Sequence, residues 1–280
     1  MKIKFLGTSA AHSYPLPFCN CNICVKARQM GDKNMRKRSS VLINDDLIID
    51  LGPDFTTAAF MHQVDTTAIR HWLQTYCDSE SFGAAHVITR MGEYAVEGLK
   101  PLFLFASPET IQDMSDKLAQ EKAGANLIKT EWLEKLGVVA TAVKHGKEYV
   151  CGSYAIIPFD TNQNKTVYFI ADDTCKLFYA LNTDKLTTET LDYFSEHRIV
   201  FDVVILDHTY GFNVYADGHL NANNFIKTIA KMKERGIITE QSKVYASHIS
   251  HEGNLPHDEF LMLAKKHGYE VAYDGLEIIV

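Results

Sequence analysis

Short apolar blocks and alternating apolar–polar positions dominate the first half of the chain, and a 3.6-residue periodicity enters later. "MKIKFLG" alternates and stops at Gly7, as a strand does. "SSVLIND" and "DLIIDLGPD" predict a hairpin turning at Asn44, Asp45 and Asp46. "TAAFMHQV" predicts a short helix, "HWLQTY" a strand and "KPLFLFAS" a buried strand. The helix "PETIQDMSDKLAQEKA" is announced by Ser107-Pro108. "GVVATAVK", "EYVCGSYAIIPFD" and "TVYFIAD" follow as strands in series. After them strands and helices alternate: helix "TETLDYFSEHR", strand "FDVVILDHT", helix "NANNFIKTIAKMKERG" closed by Gly236, strand "KVYASHIS" and helix "PHDEFLMLAKKHG". "YEVAYDGLEIIV" predicts a terminal strand pair. A strand-rich first half and an alternating second half, with no linker, predict an α/β sandwich of two sheets with helices outside, one domain over 1–280.

Composition narrows the function. The 280 residues are 46% apolar and 22% charged, as in soluble globular proteins. The formal charge of −7 argues against a nucleic-acid partner, which requires a basic face. No apolar run approaches the roughly 20 residues that span a bilayer, so no membrane is expected as partner. The N-terminus shows no apolar core of a secretory signal, and a cytoplasmic location is the expectation. In a reducing compartment the six cysteines are not expected to pair.

Cys19, Cys21 and Cys24 crowd into "PFCNCNIC". Three soft thiolates on one loop suit zinc, which takes four N or S ligands tetrahedrally, and a histidine would complete the set. The plainer alternative is three free thiols on a surface loop. Polar residues also gather after apolar runs: Asp172 and Asp173 in "FIADDTC", Asp207 and His208 in "VVILDHTYG", His219 in "DGHLN", His248 and His251 in "YASHISHEG". Singly, each suits a helix cap or a satisfied buried group; together they suggest a site at the strand ends. His145 is expected in a strand connection, Asp50 and Asp54 either near the site or in the turn at Gly52-Pro53, and "RQMGDKNMRKR" on a solvated surface.

"FLGTSAAHSYPLPFCNCNIC", "RKRSSVLINDDLIIDLGPD", "YASHISHEG" and "DGLEIIV" resemble, in order along essentially the whole chain, the metallo-β-lactamase superfamily. The similarity is greatest to its phosphoribosyl cyclic phosphodiesterase branch, with the pyrroloquinoline-quinone accessory protein B as a cousin. The resemblance implies an αββα sandwich of two mixed sheets with flanking helices, a structural zinc held by Cys19, Cys21, Cys24 and His251, and an active-site metal ligand at His248. It implies a metal-bridging aspartate after "VYFIA", at Asp172 by strand register or Asp173 by its following threonine, and a general acid at His219.

The family's T-H-x-H-x-D-H segment reads here as Thr75-Tyr76-Cys77-Asp78-Ser79-Glu80-Ser81, and a further family histidine as Gln163 or Asn162. The remaining oxygen-rich set, Asp78, Glu80 and Asp172 with His248, and Asp207 as a lesser candidate, suits one Mn²⁺, Zn²⁺ or Mg²⁺ rather than a zinc pair. Three readings follow. One is a metal-dependent hydrolase, phosphodiesterase-like, acting on a small phosphorylated substrate, with a homodimer left open. Another is a non-catalytic relative that keeps the fold and the structural zinc and binds a ligand or partner. The third is different chemistry in the same cleft through Tyr76, Cys77 or His208.

Overall fold

The structure is a computed structural model that describes residues 1–94, 98–161 and 163–280. In chain order its strands are β1 (Lys2–Gly7), β2 (Ser40–Ile43), β3 (Leu47–Ile49), β4 (His71–Leu73), β5 (Leu102–Ala106), β6 (Val138–Ala142) and β7 (Tyr149–Cys151), then β8 (Tyr154–Asp160), β9 (Thr166–Ala171), β10 (Lys176–Ala180), β11 (Val203–Asp207), β12 (Lys243–Ser247), β13 (Glu270–Val271) and β14 (Glu277–Ile279). The helices are α1 (Asn22–Met30), α2 (Phe55–Met61), α3 (Ala84–Ile88), α4 (Pro108–Glu121), α5 (Thr130–Leu136), α6 (Thr188–Glu196), α7 (Ala222–Glu234) and α8 (His257–Lys266). The longer helices start where side-chain caps allow: Ser107, Thr187 and Asn221 each accept from the backbone N–H three residues on.

The strands form two seven-stranded sheets, in the orders β14-β1-β2-β3-β4-β5-β6 and β13-β12-β11-β10-β9-β8-β7. Both are mixed: β3 to β6 run parallel in the first, β10 to β13 in the second, and the remainder pair antiparallel. Inner-face residues of the two sheets, such as Phe5, Val41, Ile170, Leu177 and Ile205, share one buried cluster. The outer face of the first sheet packs on α2 to α5 through Trp72, Leu104 and Met114. The outer face of the second packs on α6 to α8 through Phe194, Phe225 and Phe260. This is the αββα sandwich the sequence predicts.

Three details differ from the sequence reading. "EYVCGSYAIIPFD" is a hairpin of β7 and β8, turning at Gly152, whose φ of +64° suits glycine. The terminal pair splits between sheets, β13 on β12 and β14 on β1. Strand β10, "KLFYA", was not foreseen as an element. It is paired on both edges and almost wholly buried, so it shows no alternation to read.

The basic run is a solvated surface only in its first part, where Arg28, Gln29, Met30 and Asp32 are exposed; its end is not. Arg36 is buried, donating to Thr8 Oγ1 at 2.8 Å and meeting His257 Nδ1 at 3.1 Å. Lys37 pairs with Asp274 at 3.5 Å, and Arg38 with Asp54 at 2.9 Å. The segment ties the N-terminal loops to the C-terminal turn, and a Cβ on Gly7 would stand 1.9 Å from the Arg38 carbonyl oxygen.

Candidate functional site

The C-terminal ends of β4, β10, β11 and β12 deliver polar side chains to one edge of the sandwich. The registers Ala180↔Leu206 and Asp207↔Ser247 bring the ends of β10, β11 and β12 level. Asp207, buried at the end of β11, is the hub. Its Oδ1 accepts from the backbone N–H of Thr209 at 3.0 Å and of Leu220 at 3.1 Å. Its Oδ2 meets Nδ1 of His219 at 3.1 Å and Nδ1 of His248 at 3.2 Å. Thr209 Oγ1 lies 2.8 Å from His248 Nδ1 and 3.1 Å from His219 Nδ1. The two imidazoles stack, centroids 5.2 Å apart. With Nδ1 of each ring facing Asp207, each Nε2 points away from it. His219 keeps 21% of its side chain exposed, His248 only 3%.

The loop after β4 supplies the facing wall. Gln74, fully buried, donates to the carbonyls of Tyr76 and Ser81 at 2.8 Å each and so folds the segment 76–81 back on itself. Gly52 permits this loop to approach: a Cβ there would stand 2.7 Å from the Glu80 carbonyl oxygen. Tyr76 donates its hydroxyl proton to Glu80 Oε1, and Asn182 Nδ2 donates to the same oxygen at 2.9 Å. That oxygen lies 3.6 Å from His248 Nε2. Lys165 donates to Asn182 Oδ1, and its ammonium stands 5.1 Å from the centre of the Tyr76 ring.

The electrostatics follow from burial and pairing. Burial disfavours the imidazolium of His248, but its bonds to Asp207 and Glu80 outweigh that and raise its pKa to about 9. Burial opposes ionisation of Glu80 too, yet His248 and the Tyr76 hydroxyl bring its pKa down to about 2. Asp207 is held below the ordinary carboxylate range, the two imidazoles outweighing its desolvation. Burial lowers Lys165, while Glu80, Asp78, Asp207 and Asp184 work to keep it charged. Asp50, beside the site, accepts from Thr75 N–H at 2.9 Å and from its hydroxyl at 2.8 Å; burial lifts it to about 7. Asp50 and His248 both hold left-handed backbone, with φ of +60° and +61°, a costly state for non-glycine residues that collects at functional sites.

The structure brings together some of the expected residues and separates others. Glu80, His219 and His248 converge. Asp78 stands near them, but its Oδ1 accepts from the N–H groups of Glu80 at 2.9 Å and Ser81 at 3.2 Å, shaping the turn. Asp172 and Asp173 are a correction: they lie in the β9–β10 turn, at the other end of the sheet, a strand length of about 17 Å from the Asp207 edge. Asp172 Oδ1 accepts from Thr174 N–H at 2.8 Å and Cys175 N–H at 2.9 Å, its Oδ2 from Asn44 at 3.3 Å, and Asp173 is exposed. The sequence reading, which lacks β10, places the end of β9 at the site. β10 ends there instead, at Asn182. Gln163 lies against Gly218, next to His219, and Asn162 falls outside the described residues.

Sequence reasoning gave Asp207 a minor place and missed Lys165 and Asn182. The apolar run "KLFYAL" closing on Asn182 was the available signal for one; a hairpin-tip lysine offers none. Of the three residues of the alternative chemistry, Tyr76 stays in the cleft with its hydroxyl committed to Glu80, and the other two are not placed for it. Burial lifts the Cys77 thiol to about 12, and His208 packs among Phe225, Phe260 and Tyr269, outside the cleft.

Among the described residues, two groups of His, Cys, Asp or Glu bring three or more ligand atoms within 4.8 Å of one another: Cys19, Cys21, Cys24 with His251, and Asp207, His219 with His248. In the first, His251 Nδ1 is 3.7 Å from Cys19 Sγ and 3.5 Å from Cys21 Sγ. Metal–sulfur and metal–nitrogen bonds of about 2.3 and 2.0 Å give tetrahedral edges of roughly 3.5–3.8 Å, so this set fits a tetrahedral ion. The second does not fit a metal pair. Asp207 Oδ2 and the two Nδ1 atoms are engaged with one another, Oδ1 with the N–H groups of Thr209 and Leu220, and Glu80 Oε1 already faces three donors. Two cavities, of about 340 and 400 Å³, lie elsewhere, over α2 and α3 and beside α8.

No protein-family model matches the chain, and no curated protein does. Solved structures do. The chain is similar to a diphosphatase of the PhnP family at 18% identity and a TM-score of 0.74, over 99% of this chain and 96% of that one. It is similar to zinc-bound PqqB from Methylobacterium extorquens at 16% identity and 0.70, over the whole of both chains. It is similar to human tRNase Z, short form, at 12% identity and 0.65, over 100% and 99%.

Proposed function

Taking as premise that this chain has the metallo-β-lactamase fold, we propose that it is a relative of that fold's metal-dependent hydrolases which keeps a structural zinc and binds a small phosphorylated ligand in a cleft without a metal pair. The carrying observation is the saturation of the cleft's carboxylates by internal donors: Glu80 by Tyr76, Asn182 and His248, and Asp207 by Thr209, Leu220, His219 and His248. With Glu80 Oε1 and both Asp207 oxygens so engaged, Glu80 Oε2 and the Nε2 atoms of His219 and His248 are the ligand atoms left among these residues, too few for a dinuclear centre.

Cys19, Cys21, Cys24 and His251 would hold the zinc, which when bound clamps the loop before α1 to the turn after β12. The cleft offers donors to an anion through the exposed edge of His219 and the ammonium of Lys165. The structural similarity to a diphosphatase makes a phosphorylated ligand the class to test first. His219 also supports a second reading, hydrolysis: held on Nδ1 by Asp207, its Nε2 could give a proton to a leaving oxygen.

The two readings separate on purified protein. Metal analysis and thermal shift with inorganic phosphate and ribose 5-phosphate test binding, and bis(p-nitrophenyl) phosphate with and without Mn²⁺ tests turnover. Binding expects one zinc per chain, stabilisation by the phosphates that His219→Gln weakens, and no turnover. Mn²⁺-dependent cleavage lost in His219→Gln would establish the hydrolase instead.

A further inference from the structure

We propose that Lys165 is the cleft's resident cation, a tethered ammonium that takes over the charge-neutralising role of the fold's metal ions and thereby bars divalent cations from the site. This rests on the reading of the cleft as metal-free, and it names what makes it so.

The cleft edge carries three carboxylates, Asp78, Glu80 and Asp207; the His248 ring between Glu80 and Asp207 offsets one negative charge, and the remaining repulsion calls for a second cation. Lys165 is within electrostatic reach of all three, and Asp184 adds to the same field; Lys117 acts on Asp78 from outside. The β8–β9 hairpin fixes its position. Thr161 N–H donates to the Lys165 carbonyl at 2.8 Å, and Thr166 N–H donates to the Thr75 carbonyl at 2.8 Å. The second bond fastens the hairpin to the strand end that leads into Tyr76. The half-buried ammonium then lies over the Tyr76 ring and donates to Asn182 Oδ1.

Asn182 completes the exchange. An aspartate at the end of β10 would add a fourth negative charge and a ligand oxygen. The amide instead accepts from Lys165 and donates to Glu80 at 2.9 Å, linking ammonium and carboxylate through one neutral side chain. A cation on a covalent tether has no dissociation step, and its effective concentration exceeds that of any free ion. A divalent ion entering the cleft would meet the ammonium, and to reach Glu80 Oε1 it would have to displace Tyr76 and Asn182.

The test is Mn²⁺ binding to zinc-loaded protein, followed by the free-ion electron paramagnetic resonance signal, on wild type, Lys165→Met, Lys165→Gln and Glu80→Gln, with circular dichroism to verify folding. Wild type is expected to take up no Mn²⁺ at millimolar concentration. Whichever Lys165 variant folds is expected to gain one ion per chain, at an affinity at least roughly tenfold above wild type. Wild-type uptake that Glu80→Gln removes would overturn the proposal, and so would a folded Lys165 variant with no gain. Phosphate binding is read separately by thermal shift, so failure of the ligand reading leaves a distinct signature from failure of this one.

Discussion

Asp207 and His248 are joined, Oδ2 to Nδ1, at 3.2 Å, in a spot where the aspartate is fully buried and the histidine nearly so. The contact makes stability depend on pH in a definite direction. The folded pKa of His248, about 9, lies above its ordinary 6.5. The folded state therefore binds the proton more tightly than the unfolded chain does. The resulting stabilisation is complete below pH 6.5 and is lost as pH rises through 9. Its size is on the order of 3 kcal/mol. Urea unfolding across this range should show wild type losing stability with rising pH and His248→Gln showing a flatter profile. Equal slopes in the two proteins would contradict the assignment.

The Asp172 correction carries its own prediction. Removing the Asp172 carboxylate deletes acceptors for Thr174 and Cys175 and a contact to Asn44, all remote from the cleft. Asp172→Ala should cost about 1–2 kcal/mol of stability and leave ligand affinity at the cleft unchanged. Chemical denaturation and a phosphate titration check the two halves. A loss of affinity without a loss of stability would restore Asp172 to the site.

What the sequence disclosed divides along physical lines. The sandwich was legible because partly exposed strands such as β1 alternate, amphipathic helices repeat every 3.6 residues, and Ser107 and Gly236 punctuate their ends. The cysteine cluster was legible because its chemistry is local: three thiols within six residues can meet one ion wherever the loop lies. The cleft was legible only in part. Its members come from five separate segments, and their meeting depends on strand order. Missing one uniformly apolar strand, β10, moved the expected aspartate to the wrong end of the sheet and hid Asn182. Lys165 was beyond pattern reading, since a lysine at a hairpin tip is ordinary until the fold places Glu80 and Tyr76 beside it.

Gly52 offers a test of how the facing wall is held. A Cβ at this position would stand 2.7 Å from the Glu80 carbonyl oxygen, a backbone atom that cannot swing aside as a side chain could. Gly52→Ala should push the 76–81 loop off the sheet edge. The expected cost is about 1–3 kcal/mol, with weakened contacts from Glu80 to His248 and Asn182. The loop movement is read by the His248 imidazole resonances. Their pKa should fall toward the ordinary histidine value as the Glu80 contact weakens, whereas an unaltered titration would show that the loop tolerates the methyl group.

The cysteine site yields the last prediction, which separates structure from chemistry. Cys19, Cys21 and Cys24 precede or begin α1, while His251 follows β12, 232 residues after Cys19. An ion shared among them would cross-link the two ends of the chain, so losing it should destabilise the whole fold. Cys21 is primed for this: burial would raise its thiol, but the contacts to His251 and the Cys24 N–H outweigh burial and bring its pKa to about 6. Thiolate is the form that binds metal. Cys21→Ser and His251→Ala should each reduce zinc well below one per chain and lower the melting temperature. Each kcal/mol lost is worth roughly 2–4 °C in a protein of this size or somewhat smaller. Chelation of wild type should produce the same shift, reversed by added zinc. Because the cleft residues make their contacts without this ion, affinity for phosphate should persist in any variant that remains folded. Wild-type protein that holds no zinc after expression in zinc-replete medium would refute the cross-link and leave three free thiols on a loop.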